Sequence, residues 1–107
     1  MYPSDYGYAT GGGSETDRAT CLNTVLYSWN SYSDCYNNNW LFNSSYQWTL
    51  SPSAYSSRDT FYVYRYGRVS GDSASDGCGV RPVVYLSPSV GIQSGDGASD
   101  NPFILGL

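Results

Sequence analysis

The stretch that most restricts the fold is residues 60–70, TFYVYRYGRVS. Phe61, Val63 and Arg65 alternate with Tyr62, Tyr64 and Tyr66; Gly67 then interrupts the run and Val69 resumes it. A period of two is the signature of a strand, and a glycine between two such runs marks a turn. Residues 60–70 are therefore predicted to form a strand–turn–strand unit. Successive side chains of a strand point to opposite faces, so only one parity can enter a core. Phe61 and Val63 are expected inside, which sends Tyr62 and Tyr64 to solvent.

Around this unit, Gln47, Trp48, Thr49 and Leu50 read as a strand that stops before Pro52, because the residue before a proline resists helix. Residues 80–86 (VRPVVYL) read as another strand, with Pro82 arguing for an edge position. Phe103, Ile104 and Leu105 read as a short closing strand. Residues 16–29 are the best helix candidate. Leu22, Val25, Leu26 and Trp29 recur at three- and four-residue spacing, Thr16 or Ser14 can cap, and Asp17 suits the positive end. Residues 1–15, with Gly11, Gly12 and Gly13, and residues 30–39 read as loops. The expected class is α+β: one main helix with short antiparallel strands and long loops, in a single domain over residues 1–107.

Composition narrows the function classes. Charged residues are 13% of the chain, against about a quarter in ordinary domains, and the net charge is −4. Lys is absent, so the cations are Arg18, Arg58, Arg65, Arg68 and Arg81. Nucleic acid needs clustered cations and is not an expected partner, nor is an anionic membrane surface. No run reaches membrane-spanning length, so direct membrane insertion is not expected. Met1 is followed at once by Tyr-Pro-Ser-Asp, which predicts a piece of a longer surface protein with its export signal or anchor upstream. Cys21 and Cys35 bracket the predicted helix and its exit loop, a spacing that one local disulfide closes. That pairing points to an extracellular or cell-surface location; the competing reading is three reduced thiols in a cytosolic protein. Cys78 is then unpaired, and no His exists to activate it.

Chemistry-bearing constellations are few. Asp5, Glu15 and Asp17 sit in flexible or helix-start positions, and capping and helix-dipole roles account for Glu15 and Asp17, so no catalytic carboxylate pair is expected. Asp96, Asp100 and Asn101 lack the spacing of a calcium loop and read as an Asx-type turn, so no metal site and no cofactor is expected. Trp29, Trp40 and Trp48 lie in apolar stretches and read as core, and Arg81 as a structural arginine. No enzyme is expected. What remains is a Tyr/Ser/Gly/Asp vocabulary between the flanks Thr49–Pro52 and Gly79–Leu86. Binding loops favour it because Tyr offers a large amphipathic face with few rotatable bonds. The candidate ligand-binding residues are Tyr55, Arg58, Asp59, Tyr62, Tyr64, Arg65, Tyr66, Arg68, Ser70, Asp72, Ser73, Ser75 and Asp76.

These segments carry a resemblance. QWTLSP, a polar loop, FYVYRYGRV, a second polar loop, GVRPVVYL and the tail GDGASDNPFIL are similar to the C-type-lectin-like variable domains of bacterial and phage surface proteins, including those targeted by diversity-generating retroelements. CLNTVLYSWNSYSDCYNNNWLFN resembles that family's helix–loop–strand half. The resemblance spans roughly residues 2–105. It implies a stable mixed fold displaying a variable surface over residues 53–78, with a protein or glycan ligand on another surface. Thr49 stands where the family more often has Arg. The calcium-binding clusters of animal C-type lectins are not recognisable, so calcium-dependent sugar binding does not carry over. The alternative is a pilin-like or fibre subunit that self-assembles through its Tyr-rich face.

Overall fold

The computed structural model describes residues 1–82, 85–98 and 100–106. Within them the chain is α+β: short helices in the N-terminal half, followed by two antiparallel sheets. Among the described residues, no helix is long and apolar enough to cross a membrane.

The expected single helix is replaced by short pieces, and residues 1–15 are not simply loop. Pro3 fixes φ at the start of α1 (Pro3–Tyr8), and the Asp5 carboxylate accepts the Tyr2 N–H at 2.7 Å. α2 (Arg18–Asn23) is capped by Asp17, not by Thr16 or Ser14; its carboxylate accepts the Thr20 N–H at 2.7 Å. The helix then stops at Thr24, which turns extended at ψ 131. Two polar side chains take back-bonds there, Asn23 Nδ2 to the Ala19 carbonyl and Thr24 Oγ1 to the Thr20 carbonyl. The Trp29 indole closes the end by donating to the carbonyls of Cys21 (3.3 Å) and Thr24 (3.2 Å). The chain resumes as a 3-10 helix over Leu26–Ser31, and α3 (Ser33–Asn37) lies in the segment read as a polar loop. The apolar stripe therefore does not form: Trp29 is buried while Val25 is 69% exposed.

The disulfide between Cys21 and Cys35 ties α2 to α3, with both residues fully buried. Tyr6 and Trp29 pack beside it at a 5.4 Å ring separation, and Met1, Leu41, Val63 and Val69 complete the core. Asn39, in the tract read as turn, is buried: its Nδ2 donates to the Tyr6 carbonyl and its Oδ1 accepts the Leu41 N–H. Those bonds supply the partners that a buried amide requires.

The main sheet has the order β1 (Gln47–Pro52), β2 (Asp59–Val63), β3 (Val69–Ser73), all antiparallel. The predicted strand–turn–strand over 60–70 is present as β2–β3. Its register pairs Phe61 with Gly71 and Val63 with Val69 on the face toward the helices. Tyr62 pairs with Ser70 and Trp48, and Thr60 with Asp72, on the opposite face. β1 turns polar residues inward. Gln47 and Thr49 are buried, whereas Leu50 is exposed, and the inward side chains find partners there: Thr49 Oγ1 donates to the Phe61 carbonyl, and Gln47 binds Asn43 and accepts from Arg81 Nε. Arg81 thus has the structural role expected of it. Trp40 is 75% exposed and Trp48 half-buried, so only Trp29 of the indoles is a core residue.

The 80–86 strand is not seen: Val80, Arg81, Pro82, Tyr85 and Leu86 have no strand structure, and Val83 and Val84 lie outside the described residues. Gly79, just before the segment, bridges to the start of β1: its carbonyl accepts the Trp48 N–H and its N–H donates to the Tyr46 carbonyl. A second sheet pairs β4 (Gly91–Ser94) with β5 (Ile104–Gly106), so the closing strand begins one residue later than expected. Asp96 accepts the Ala98 N–H at 2.9 Å, which makes the turn between them an Asx turn.

Candidate recognition surface

The hairpin tip gathers the aromatic candidates. The turn from Tyr64 to Arg68 is closed by the Tyr64 N–H to the Arg68 carbonyl (2.7 Å) and the Gly67 N–H to the Tyr64 carbonyl (2.8 Å). On the outer sheet face Tyr62 contacts Trp48 and Tyr46, both at 5.9 Å, and Tyr64 at 6.1 Å. Tyr64 continues the row to Tyr66 at 5.4 Å and meets Tyr46 edge-on at 5.0 Å. Such tilted and edge-to-face contacts are the preferred geometry of aromatic pairs. The expectation that Tyr62 faces solvent is corrected by this cluster. It is 5% exposed, roofed by Tyr46, Trp48 and Tyr64, so its ring supports the surface rather than forming it. Tyr66 remains 52% exposed and Arg65 exposed, while Tyr64 and Arg68 are half-buried.

Arginines sit on these rings. The Arg65 guanidinium lies 4.7 Å from the centre of Tyr66, and that of Arg68 lies between Tyr64 (4.9 Å) and Tyr27 (5.1 Å). Each position is within cation–π range. Tyr27, Tyr46 and Trp48 were outside the sequence-derived set. Parity would have reached two of them: once Trp48 faces Tyr62, Tyr46 two positions earlier shares its face. Tyr27 carries no such local signal.

The remaining candidates do not join this patch. Arg58, Asp59, Ser73, Ser75 and Asp76 lie at the other end of the hairpin, where Asp59 pairs with Ser73 and the Ala74 N–H donates to the Arg58 carbonyl. The five-residue β2 separates the two ends by roughly 15 Å. Ser70 and Asp72 lie between them on β3, with the Asp72 carboxylate accepting the Ser73 N–H. Tyr55, 98% exposed, rims a different feature: a cleft of about 680 Å³ on the helix side of the sheet, lined also by Pro3, Leu26, Tyr27, Phe61 and Val69.

The phenols are electrostatically distinct. A hydroxyl interaction between Tyr46 and Tyr64 raises the Tyr46 pKa and lowers that of Tyr64; Arg65 and Arg68 lower Tyr64 further. Burial, then the nearby Asp72, raises Tyr62. Burial together with Asp76 and Asp72 also raises the Cys78 thiol, which keeps it protonated and poorly nucleophilic. In a spectrophotometric titration Tyr64 is therefore expected to ionise below the ordinary phenol value near ~10. Tyr46→Phe is expected to move that step upward. An unchanged first step in the variant would show that the two hydroxyls are not coupled. Stability is the poorer readout, because the two contributions oppose each other. The depressed Tyr64 favours folding above its unfolded pKa, and that contribution is lost as pH falls; the raised Tyr46 favours it below that pKa, and that contribution is lost as pH rises.

Among the described residues no three His, Cys, Asp or Glu side chains gather to hold a metal ion. No family model, curated protein or solved structure matches the chain.

Proposed function

We infer that the chain is an extracellular, non-enzymatic recognition module of C-type-lectin-like character, gripping its ligand through the hairpin tip. The observation that carries this reading is the arginine-studded aromatic row, in which exposed Tyr66 and Arg65 are backed by the interlocked rings of Tyr62, Tyr64, Tyr46 and Trp48. A rigid aromatic base loses little side-chain entropy on binding, and Tyr and Arg are the residue types that dominate interface energetics. The disulfide supports an oxidising location. The absence of His and Lys from the sequence removes the commonest general bases and amine nucleophiles.

The test is capture of immobilised cell-surface glycans and proteins by the whole chain, wild type against Tyr66→Ala. Truncation of an exposed hot-spot ring is expected to weaken capture at least about tenfold. The melting temperature should stay unchanged, since Tyr66 is half exposed. Equal capture by both proteins would remove the hairpin tip from the binding surface.

The fibre-subunit alternative draws on the outer edge of β3, which has no neighbouring strand among the described residues. Sedimentation across a dilution series separates the two readings. A monomer at every concentration favours recognition, and concentration-dependent filaments favour the subunit.

A further inference from the structure

Arg68 is placed unlike a solvated surface arginine. Its guanidinium is held between two rings, Tyr64 at 4.9 Å and Tyr27 at 5.1 Å, and its Nε is buried without a hydrogen-bond acceptor. A buried donor left unmade is costly, more so on a charged group. Burial of the Nε edge leaves the opposite Nη edge to meet solvent, and the two rings fix its direction. Arg65 stands on the same tip, surrounded by phenols rather than acids: the groups acting on it are Tyr66, Tyr46 and Tyr64. In a chain of net charge −4, the tip thus concentrates cations without compensating carboxylates of its own. Asp72, on the same face of β3, lies beyond Tyr62.

We propose that this tip is a carboxylate subsite: the Nη edge of Arg68, backed by Tyr64, receives one carboxylate of the ligand in a bidentate pair, and exposed Tyr66 packs against the group that bears it. The proposal rests on the recognition reading above and names its ligand class, a glycan unit carrying a single carboxylate, of the uronic-acid type. A planar guanidinium held in place matches a planar carboxylate. The charge balance selects a singly charged ligand, because a polyanion would meet the acidic remainder of the chain. The exposed aromatic face selects a rigid ring over a flexible acidic peptide. Tyr66, 52% exposed, offers an apolar ring on the scale of one sugar ring, and an acidic peptide would lose more conformational freedom on docking there.

The experiment follows the arginine side-chain N–H resonances of the ¹⁵N-labelled whole chain during titration with sodium glucuronate, with glucose and with N-acetylglutamate amide. Saturable shifts of the Arg68 signal with glucuronate, absent with glucose, are the expected result. Arg68→Lys keeps the charge but loses the fork, and should weaken glucuronate binding at least about tenfold, read on the Arg65 signal. Arg68→Gln should abolish it. Thermal melts of both variants establish that they are folded. Response to N-acetylglutamate amide with none to glucuronate would overturn the sugar assignment in favour of an acidic peptide. Response to neither, or glucuronate binding undiminished in Arg68→Lys, would overturn the subsite. A captured surface ligand that depends on Tyr66 but not on Arg68 would overturn the subsite while leaving the recognition reading intact.

Discussion

Replacing both bridging cysteines, Cys21→Ala with Cys35→Ala, is expected to lower the unfolding free energy by about 3 kcal/mol, the entropic value for a loop of ~15 residues. The sequence separation is 14, and both sulfurs lie in the centre of the core. The effect is large because nothing else in the N-terminal half is long enough to persist alone. α1 and α2 have six residues each and α3 five, well below the ~12–15 that an isolated helix needs in water. The bridge also holds the Cys21 carbonyl where the Trp29 indole reaches it, so loosening it exposes that donor as well. Against a typical total of about 5–15 kcal/mol, the loss takes a substantial share of the stability. At about 4 °C or more per kcal/mol, the melting temperature should fall by at least about 10 °C. Circular dichroism melts with Cys78→Ala as the background measure it without thiol exchange. A drop below about 2 °C would mean that the Tyr6–Trp29 pair closes this half unaided.

What the sequence revealed follows the length of each pattern. The 60–70 hairpin was legible because eleven residues carry strict alternation, a glycine and a second run. The hairpin and the disulfide pairing appear where expected; β1 begins at Gln47 as expected but runs on through Pro52 rather than stopping before it. The helices were misread because fewer than two turns cannot display a 3.6-residue period. Leu22, Val25, Leu26 and Trp29 imitate a longer stripe across a break that Asn23, Thr24 and the Trp29 indole jointly impose. Inward polar residues were illegible for another reason: Gln47, Thr49 and Asn39 are buried through partners far along the chain, as in the bond from Asn39 to the Tyr6 carbonyl. The candidate surface divides in the same way. Its hairpin members came from local pattern, whereas Tyr27 joins only through Arg68, a contact set by how the 3-10 helix packs on the sheet. The inversion of Tyr62 shows the limit of parity, which assigns a face without telling whether other rings cover it.

Gly67→Ala is expected to cost on the order of 3 kcal/mol and, on the recognition reading proposed above, to remove ligand capture with it. Gly67 sits at φ +82, where an L side chain is strained by about 1–2 kcal/mol. An added Cβ would also lie 2.2 Å from Cγ and 2.3 Å from Cβ of Tyr36, atoms of a side chain braced by Phe42 at 5.2 Å. Relieving such an overlap in a packed region costs a further ~1–3 kcal/mol. The backbone cannot simply withdraw, because the Gly67 carbonyl accepts the buried Tyr6 hydroxyl at 2.8 Å and the Gly67 N–H closes the turn on Tyr64. Any adjustment therefore reaches the residues on either side, Tyr66 and Arg68, and alters the angle at which the Arg68 guanidinium leaves its two rings. A double-mutant cycle separates the two causes. In the Tyr36→Gly background, which removes the Tyr36 Cβ as well as its ring, the overlap disappears and only the backbone strain remains, so Gly67→Ala should cost about 1–2 kcal/mol there, with a coupling of about 1 kcal/mol or more between the sites. Chemical denaturation of the four proteins gives the cycle. Equal costs in both backgrounds would assign the whole effect to backbone conformation, and a cost below about 1 kcal/mol in the wild-type background would mean that the turn does not hold Gly67 in its left-handed conformation.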